Sequence, residues 1–117
     1  MSTDISKTGE ISGFVGACLV DLDTGLMLAS AGGGALDLEA AAALHTQVVK
    51  AKLDAIITLG LDDIIEDILI TLGKQYHLIR PLENNPTVFI SLVLDRKGSN
   101  LGMARLQLKN VTSGMMF

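Results

Sequence analysis

From Leu38 to Leu59 the chain contains neither glycine nor proline and is rich in alanine. Such a stretch fits one long helix better than any other local structure. Asp37 is placed to cap its start and Gly60 to stop it. At 100° per residue, Glu39, Gln47, Lys50 and Asp54 make the polar side. The remainder divides into two apolar stripes. One holds Ala41, Leu44, Val48, Ala51 and Ala55; the other holds Ala42, Val49, Leu53 and Ile56. His45 and Lys52 lie between the stripes. A helix apolar over so wide an arc needs more than one neighbour. The first stripe is assigned to a sheet and the second to a partner, with the reverse assignment as the alternative and His45 and Lys52 at the rim.

Short apolar runs flank this helix. Phe14 to Val20 and Leu26 to Ala29 straddle the turn Asp21-Leu22-Asp23-Thr24-Gly25, the pattern of a hairpin. Gly32-Gly33-Gly34 reads as a flexible connector. After Gly60 come Ile64 to Leu72, Tyr76 to Leu82 and Val88 to Leu94, separated by Gly73-Lys74 and Asn84-Asn85-Pro86. These runs are apolar on both faces, so the sheet should be covered on both sides. The turn Asp95-Arg96-Lys97-Gly98 leads to a last helix. Ser99 or Asn100 would cap it, with Leu101, Ala104, Leu106 and Leu108 turned inward. Tight turns within each strand group make the pairing antiparallel. The expectation is an α+β fold with a five-stranded antiparallel sheet, one domain over residues 1–117. Residues 1–12 would form a short arm or a truncated helix.

Composition narrows the function. Aromatic residues make up 3% of the chain, namely Phe14, Tyr76, Phe89 and Phe117, and the net charge is −4. Nucleic acid needs a basic field and stacking platforms, and neither is present. Cys18 has no second cysteine to pair with, which favours a reducing compartment such as the cytoplasm. Lying in an apolar strand, it should be buried. Met1-Ser2-Thr3-Asp4 lacks the opening of a signal peptide. No uncharged apolar stretch reaches the roughly 20 residues of a membrane span, so no membrane insertion is expected. The mean hydropathy of +0.45 therefore needs another outlet, in a doubly covered sheet or a partner.

Catalytic patterns fail on inspection. Asp21-Leu22-Asp23 after an apolar run approaches the D-x-D-G-T of aspartate-nucleophile phosphatases, but Thr24 and Gly25 stand in the opposite order. A small hydrolase using Asp21 and Asp23 is the remote alternative. Asp23-Thr24-Gly25 matches the aspartic protease triplet, yet those small proteases are almost all strand. Neither Gly32-Gly33-Gly34 nor Gly73-Lys74 continues into a phosphate loop. His45 and His77 are far apart in sequence with no cysteine ligand nearby, so no metal or other cofactor is expected. Asp62, Asp63, Glu66 and Asp67 form an acidic run, either a solvated face or a docking patch for a basic partner.

Gly13-Phe14-Val15-Gly16-Ala17 through Asp21, followed by Thr24-Gly25-Leu26-Met27-Leu28-Ala29, resembles the opening hairpin of the roadblock family, which includes dynein light chains and bacterial relatives. Gln75-Tyr76-His77-Leu78-Ile79-Arg80-Pro81 is similar to the fourth strand of prokaryotic members. Asn100-Leu101-Gly102-Met103-Ala104-Arg105-Leu106 resembles the start of the last helix. The likeness spans about residues 11–110. One departure is the short segment before Ile11, where family members carry a full helix. The resemblance implies sheet order 2-1-5-4-3, with the long helix on one face and the C-terminal helix on the other. It implies a homodimer joined through the third strand and the long helix. Combined with the stripe assignment, the interface would hold Ala42, Val49, Leu53, Ile56, Ile64, Glu66, Ile68 and Ile70. It further implies a non-enzymatic regulator or scaffold that binds a small Ras-like GTPase. A general assembly scaffold with no GTPase is the alternative.

Overall fold

The computed structural model describes residues 4–115. Met1 to Thr3, Met116 and Phe117 lie outside the described residues. A 3-10 turn at Ser6–Glu10 is followed by strands β1 (Phe14–Asp21) and β2 (Met27–Gly32) and by helix α1 (Leu38–Thr58). Then come β3 (Ile68–Thr71), β4 (Gln75–Pro81), β5 (Val88–Asp95) and helix α2 (Leu101–Ser113). The strands form one five-stranded sheet in the order β2-β1-β5-β4-β3, and every pairing is antiparallel. This is the α+β architecture and strand order expected from the sequence.

Both helix starts are set by local chemistry. The Asp37 carboxylate accepts from the Ala40 N–H at 3.1 Å. Asn100 Oδ1 accepts from the Met103 N–H, also at 3.1 Å, which makes Asn100 and not Ser99 the cap. Gly60 follows α1 with φ +67, a left-handed conformation that ends the helix without a Cβ clash.

β5 is the spine. Every residue from Val88 to Leu94 is buried. Successive side chains point to opposite faces, so the strands feed two cores. Ala17, Leu19, Leu78, Ile90, Leu92 and Leu94 pack with Ala104 and Leu108 of α2, and Ile5 and Ile11 close the same side. Cys18, Val20, Ile79 and Phe89 pack with Ala42 and Val49 of α1. Cys18 is buried, as its strand position implied. The short segment before β1 is thus a single turn whose flanking isoleucines plug the α2 side.

Four sequence-based details are corrected. β2 starts and ends later than expected, at Met27–Gly32, and a bulge interrupts its pairing between Leu19 and Val20. The Asp21 N–H takes the Leu26 carbonyl at 2.9 Å, which keeps Leu26 in the turn. β3 is only Ile68–Thr71, so Ile64 and Glu66 precede it. On α2, Leu106 is turned out and Thr112 is turned in. Finally, Gly32-Gly33-Gly34 is no loose connector. All three have positive φ, and a Cβ on Gly16 would come 2.9 Å from Gly33 Cα. The glycines let backbone approach backbone where β2 leaves β1.

Candidate interaction surface

β3 is an edge strand, bonded among the described residues to β4 alone. Ile68, Leu69 and Ile70 are half-buried and Thr71 is exposed. Residues 61–67 run up to this strand and carry Ile64, 80% exposed, together with exposed Asp62, Asp63 and Glu66. Asp67 fastens the segment. Its carboxylate receives a fork from Arg105 of α2, with Nε at 3.1 Å and Nη2 at 2.8 Å. Arg80, almost fully buried on β4, has looser partners: Asp67 at 3.7 Å and Glu83 at 3.4 Å. Its Nε is buried with no hydrogen-bond partner among the described residues.

Two open grooves flank this segment. One, of about 460 Å³, lies between Val48, Lys52 and Ile56 of α1 and residues Ile64 to Ile68. The other, of about 510 Å³, is walled by Val49, Leu53, Ile65, Pro81 and Leu82 with Arg80 at its base. Beside them α1 exposes Leu44 and Ile57, and Leu59 and Leu61 are exposed just beyond it. Large apolar side chains exposed beside open grooves are candidates for an interaction site.

The placement of α1 reverses the stripe assignment. Ala42 and Val49 are fully buried against the sheet, and Leu53 and Ile56 are half-buried on the same side. Leu44 and Ala51 are exposed, while Ala41, Val48 and Ala55 are half-buried. Of the residues expected at an interface, Ile68 and Ile70 lie on the free strand. Ile56 and Ile64 line the first groove, Ile64 and Leu53 the second, and Glu66 both. Ala42 and Val49 are core residues. Lys52 is exposed at the groove, as a rim residue should be.

His45 is not at a rim. It is buried beneath α1, with Nδ1 2.6 Å from Ser91 Oγ and Nε2 3.3 Å from His77 Nδ1; His77 Nε2 lies 2.9 Å from Gln75 Oε1. The rings meet edge to face, with centroids 5.2 Å apart. One proton arrangement satisfies the chain throughout: Ser91 O–H to His45, His45 Nε2–H to His77, His77 Nε2–H to Gln75. Both imidazoles are then neutral. Burial pushes the His45 pKa down to about 4, with repulsion from a charged His77 adding to it. Burial also lowers the pKa of His77. Sequence reasoning missed this pair. The signal was present, since His45 stands three residues after Ala42 and four before Val49.

The hydrolase candidates are spent on their own turn. Asp21 accepts from the Asp23 N–H at 3.2 Å and from Thr24 Oγ1 at 2.8 Å, and Asp23 is exposed. Burial pushes the Cys18 thiol up to about 11, against an opposing hydrogen bond with Ser91, and so disfavours the thiolate. Among the described residues no three His, Cys, Asp or Glu side chains converge as a metal site. Among the same residues no helix is long and apolar enough to cross a membrane.

No family model matches the sequence, and no curated protein matches it. Solved structures do match. Myxococcus xanthus MglB superposes with a TM-score of 0.78 at 19% identity, over 92% of this chain and 84% of that one. A Roadblock/LC7 domain from Streptomyces avermitilis gives a TM-score of 0.77 at 15% identity, over 91% and 85%. The fold is that of the roadblock domain. An MglB with tetrameric arrangement superposes with a TM-score of 0.75 at 19% identity, over 92% of this chain and 78% of its own. The roadblock fold thus agrees with the hairpin, fourth strand and last helix that suggested it in the sequence.

Proposed function

We propose that this chain is a non-enzymatic homodimeric regulator or scaffold of the cytoplasm, and that its partner is a small Ras-like GTPase. The observation that carries the reading is the bare β3 edge beside an exposed apolar stripe on α1. An unpaired edge strand without charged side chains invites pairing with another chain. Two copies related by a two-fold axis satisfy each other's β3 edge and extend the sheet across the axis. The stripe Ala41, Leu44, Val48, Ala51 and Ala55 then meets its counterpart, and Ile64 and Ile68 fill the groove beside Lys52. A contact of this kind buries on the order of 1,600 Å². Each well-buried Leu or Ile contributes roughly 1.5–3 kcal/mol. The tetrameric arrangement of an MglB of the same fold supports self-association. The sequence resemblance to the roadblock family supports the GTPase. Co-purification with a small Ras-like GTPase, with and without bound GTP, tests the partner. Retention of the GTPase that depends on the nucleotide is the expected result; no retention in either state removes the GTPase and leaves only the scaffold.

A further inference from the structure

The sheet has a second free edge, on the side opposite β3. Among the described residues β2 pairs with β1 alone. Met27 to Gly32 contains no charged residue and no proline, although those are the usual guards of an edge strand. After the bulge, Ala29, Ser30 and Ala31 keep regular register with Leu19, Cys18 and Ala17, so the outer rim there is open strand. Leu26 is 65% exposed and Leu28 44% exposed beside it. The charge carried by the chain on either side of this edge is mainly acidic. Residues 8–49 hold five carboxylates, Glu10, Asp21, Asp23, Asp37 and Glu39, and no lysine or arginine, while Lys7 sits on the 3-10 turn that packs against β2. The hairpin turn that leads into β2 carries Asp21 and Asp23, and the helix start that follows carries Asp37 and Glu39.

We infer that the β2 edge takes an extended segment of another protein as a sixth strand, with apolar residues at its centre and Lys or Arg at both ends. The strand edge supplies main-chain hydrogen bonds, Leu26 and Leu28 supply apolar contacts, and the acidic ends supply charge selection. A second copy of this chain is the wrong occupant. Antiparallel pairing of β2 with β2 would bring the acidic turn of each against the acidic helix start of the other.

The test is titration of the ¹⁵N-labelled full chain with the synthetic peptide Lys-Lys-Val-Leu-Val-Leu-Lys-Lys, read by amide shifts and amide exchange. Shifts confined to residues 26–32 and the strand beside them are expected, with exchange of β2 amides slowed at least tenfold. The double variant Leu28→Lys, Ser30→Lys should bind at least tenfold more weakly. Both positions are exposed, so its far-UV circular dichroism and melting should match wild type. Asp23→Lys with Glu39→Lys, which leaves the edge itself intact, should weaken binding and flatten its salt dependence. Thr71→Lys, at the exposed position of the opposite edge, should bind normally, which separates this inference from the dimer reading. Absence of binding overturns the inference. So does equal binding by Glu-Glu-Val-Leu-Val-Leu-Glu-Glu, full affinity in the β2 variant, or protection of β2 amides without peptide.

Discussion

His45 carries a conflict that its environment resolves in one direction. Buried under α1, the ring is hydrogen-bonded at both nitrogens to uncharged groups. The strands below it present Cys18, Val20, Ile79, Phe89, Ile68 and Ile70, with no carboxylate to hold a proton there. Its folded pKa of about 4 lies below the unfolded value of about 6.5. The unfolded chain therefore binds more protons between those values, and stability falls as pH drops from 6.5 towards 4. Water reaching the half-buried His77 screens part of this, so we expect a loss of roughly 1–2 kcal/mol between pH 7 and pH 5. Urea denaturation of wild type and His45→Leu at the two pH values checks it. The variant should show a much smaller difference, and an equal slope in both proteins would place the titration elsewhere. The same residue explains a misreading of the sequence. His45 and Thr46 make the sheet-facing side of α1 look more polar than the exposed stripe of Leu44, Val48, Ala51 and Ala55. Thr46 answers its burial locally, by donating to the Ala42 carbonyl at 2.8 Å. Nothing in the sequence names Ser91 and His77 as partners of His45.

At the scale of elements, what is decided by neighbours along the chain was legible. The caps at Asp37 and Asn100, the Asp-rich hairpin turn and the largely apolar β5 each follow from local hydrogen bonds or alternation. The start of β3 was not legible. Ile64 and Ile65 amid acids extend an apolar run, yet residues 62–67 have no strand partner. The fork from Arg105, 38 residues away, holds Asp67 and fixes where pairing begins. The glycines at the end of β2 give a sharper test. Gly32 has φ +63, and a Cβ there would run into the Phe14 ring and the Val15 carbonyl. Gly32→Ala should destabilise the fold by about 1–3 kcal/mol through backbone strain and overpacking. Gly34→Ala has open space around its Cβ and bears only the strain of its positive φ. Thermal melts of the two variants should therefore rank Gly32→Ala as the less stable, and the reverse order would contradict the packing described here.

For the molecule as a whole, the strand order was carried by the family resemblance, and the two-sided burial by the apolar strands themselves. The function is less legible because among the described residues no cluster has a catalytic or metal-binding signature; what the surface offers is edges and stripes. Two consequences follow for chemistry. Asp21 is held within its own turn and neither glycine run of the described residues continues into a phosphate loop, so the isolated chain should neither hydrolyse a phosphomonoester nor bind nucleotide. Calorimetry with GTP and ATP, with and without magnesium, should give no micromolar affinity, and a phosphatase rate abolished by Asp21→Asn would overturn the non-enzymatic reading. The central claim is self-association through β3 and the exposed stripe of α1. Its most direct test is sedimentation equilibrium at low micromolar concentration on wild type and on Leu44→Glu with Thr71→Lys. Both substituted positions are exposed, Thr71 on the open β3 edge, so the variant should remain folded. The account predicts a dimeric wild type and a folded, monomeric variant; a monomeric wild type, or a variant that stays dimeric, would contradict it.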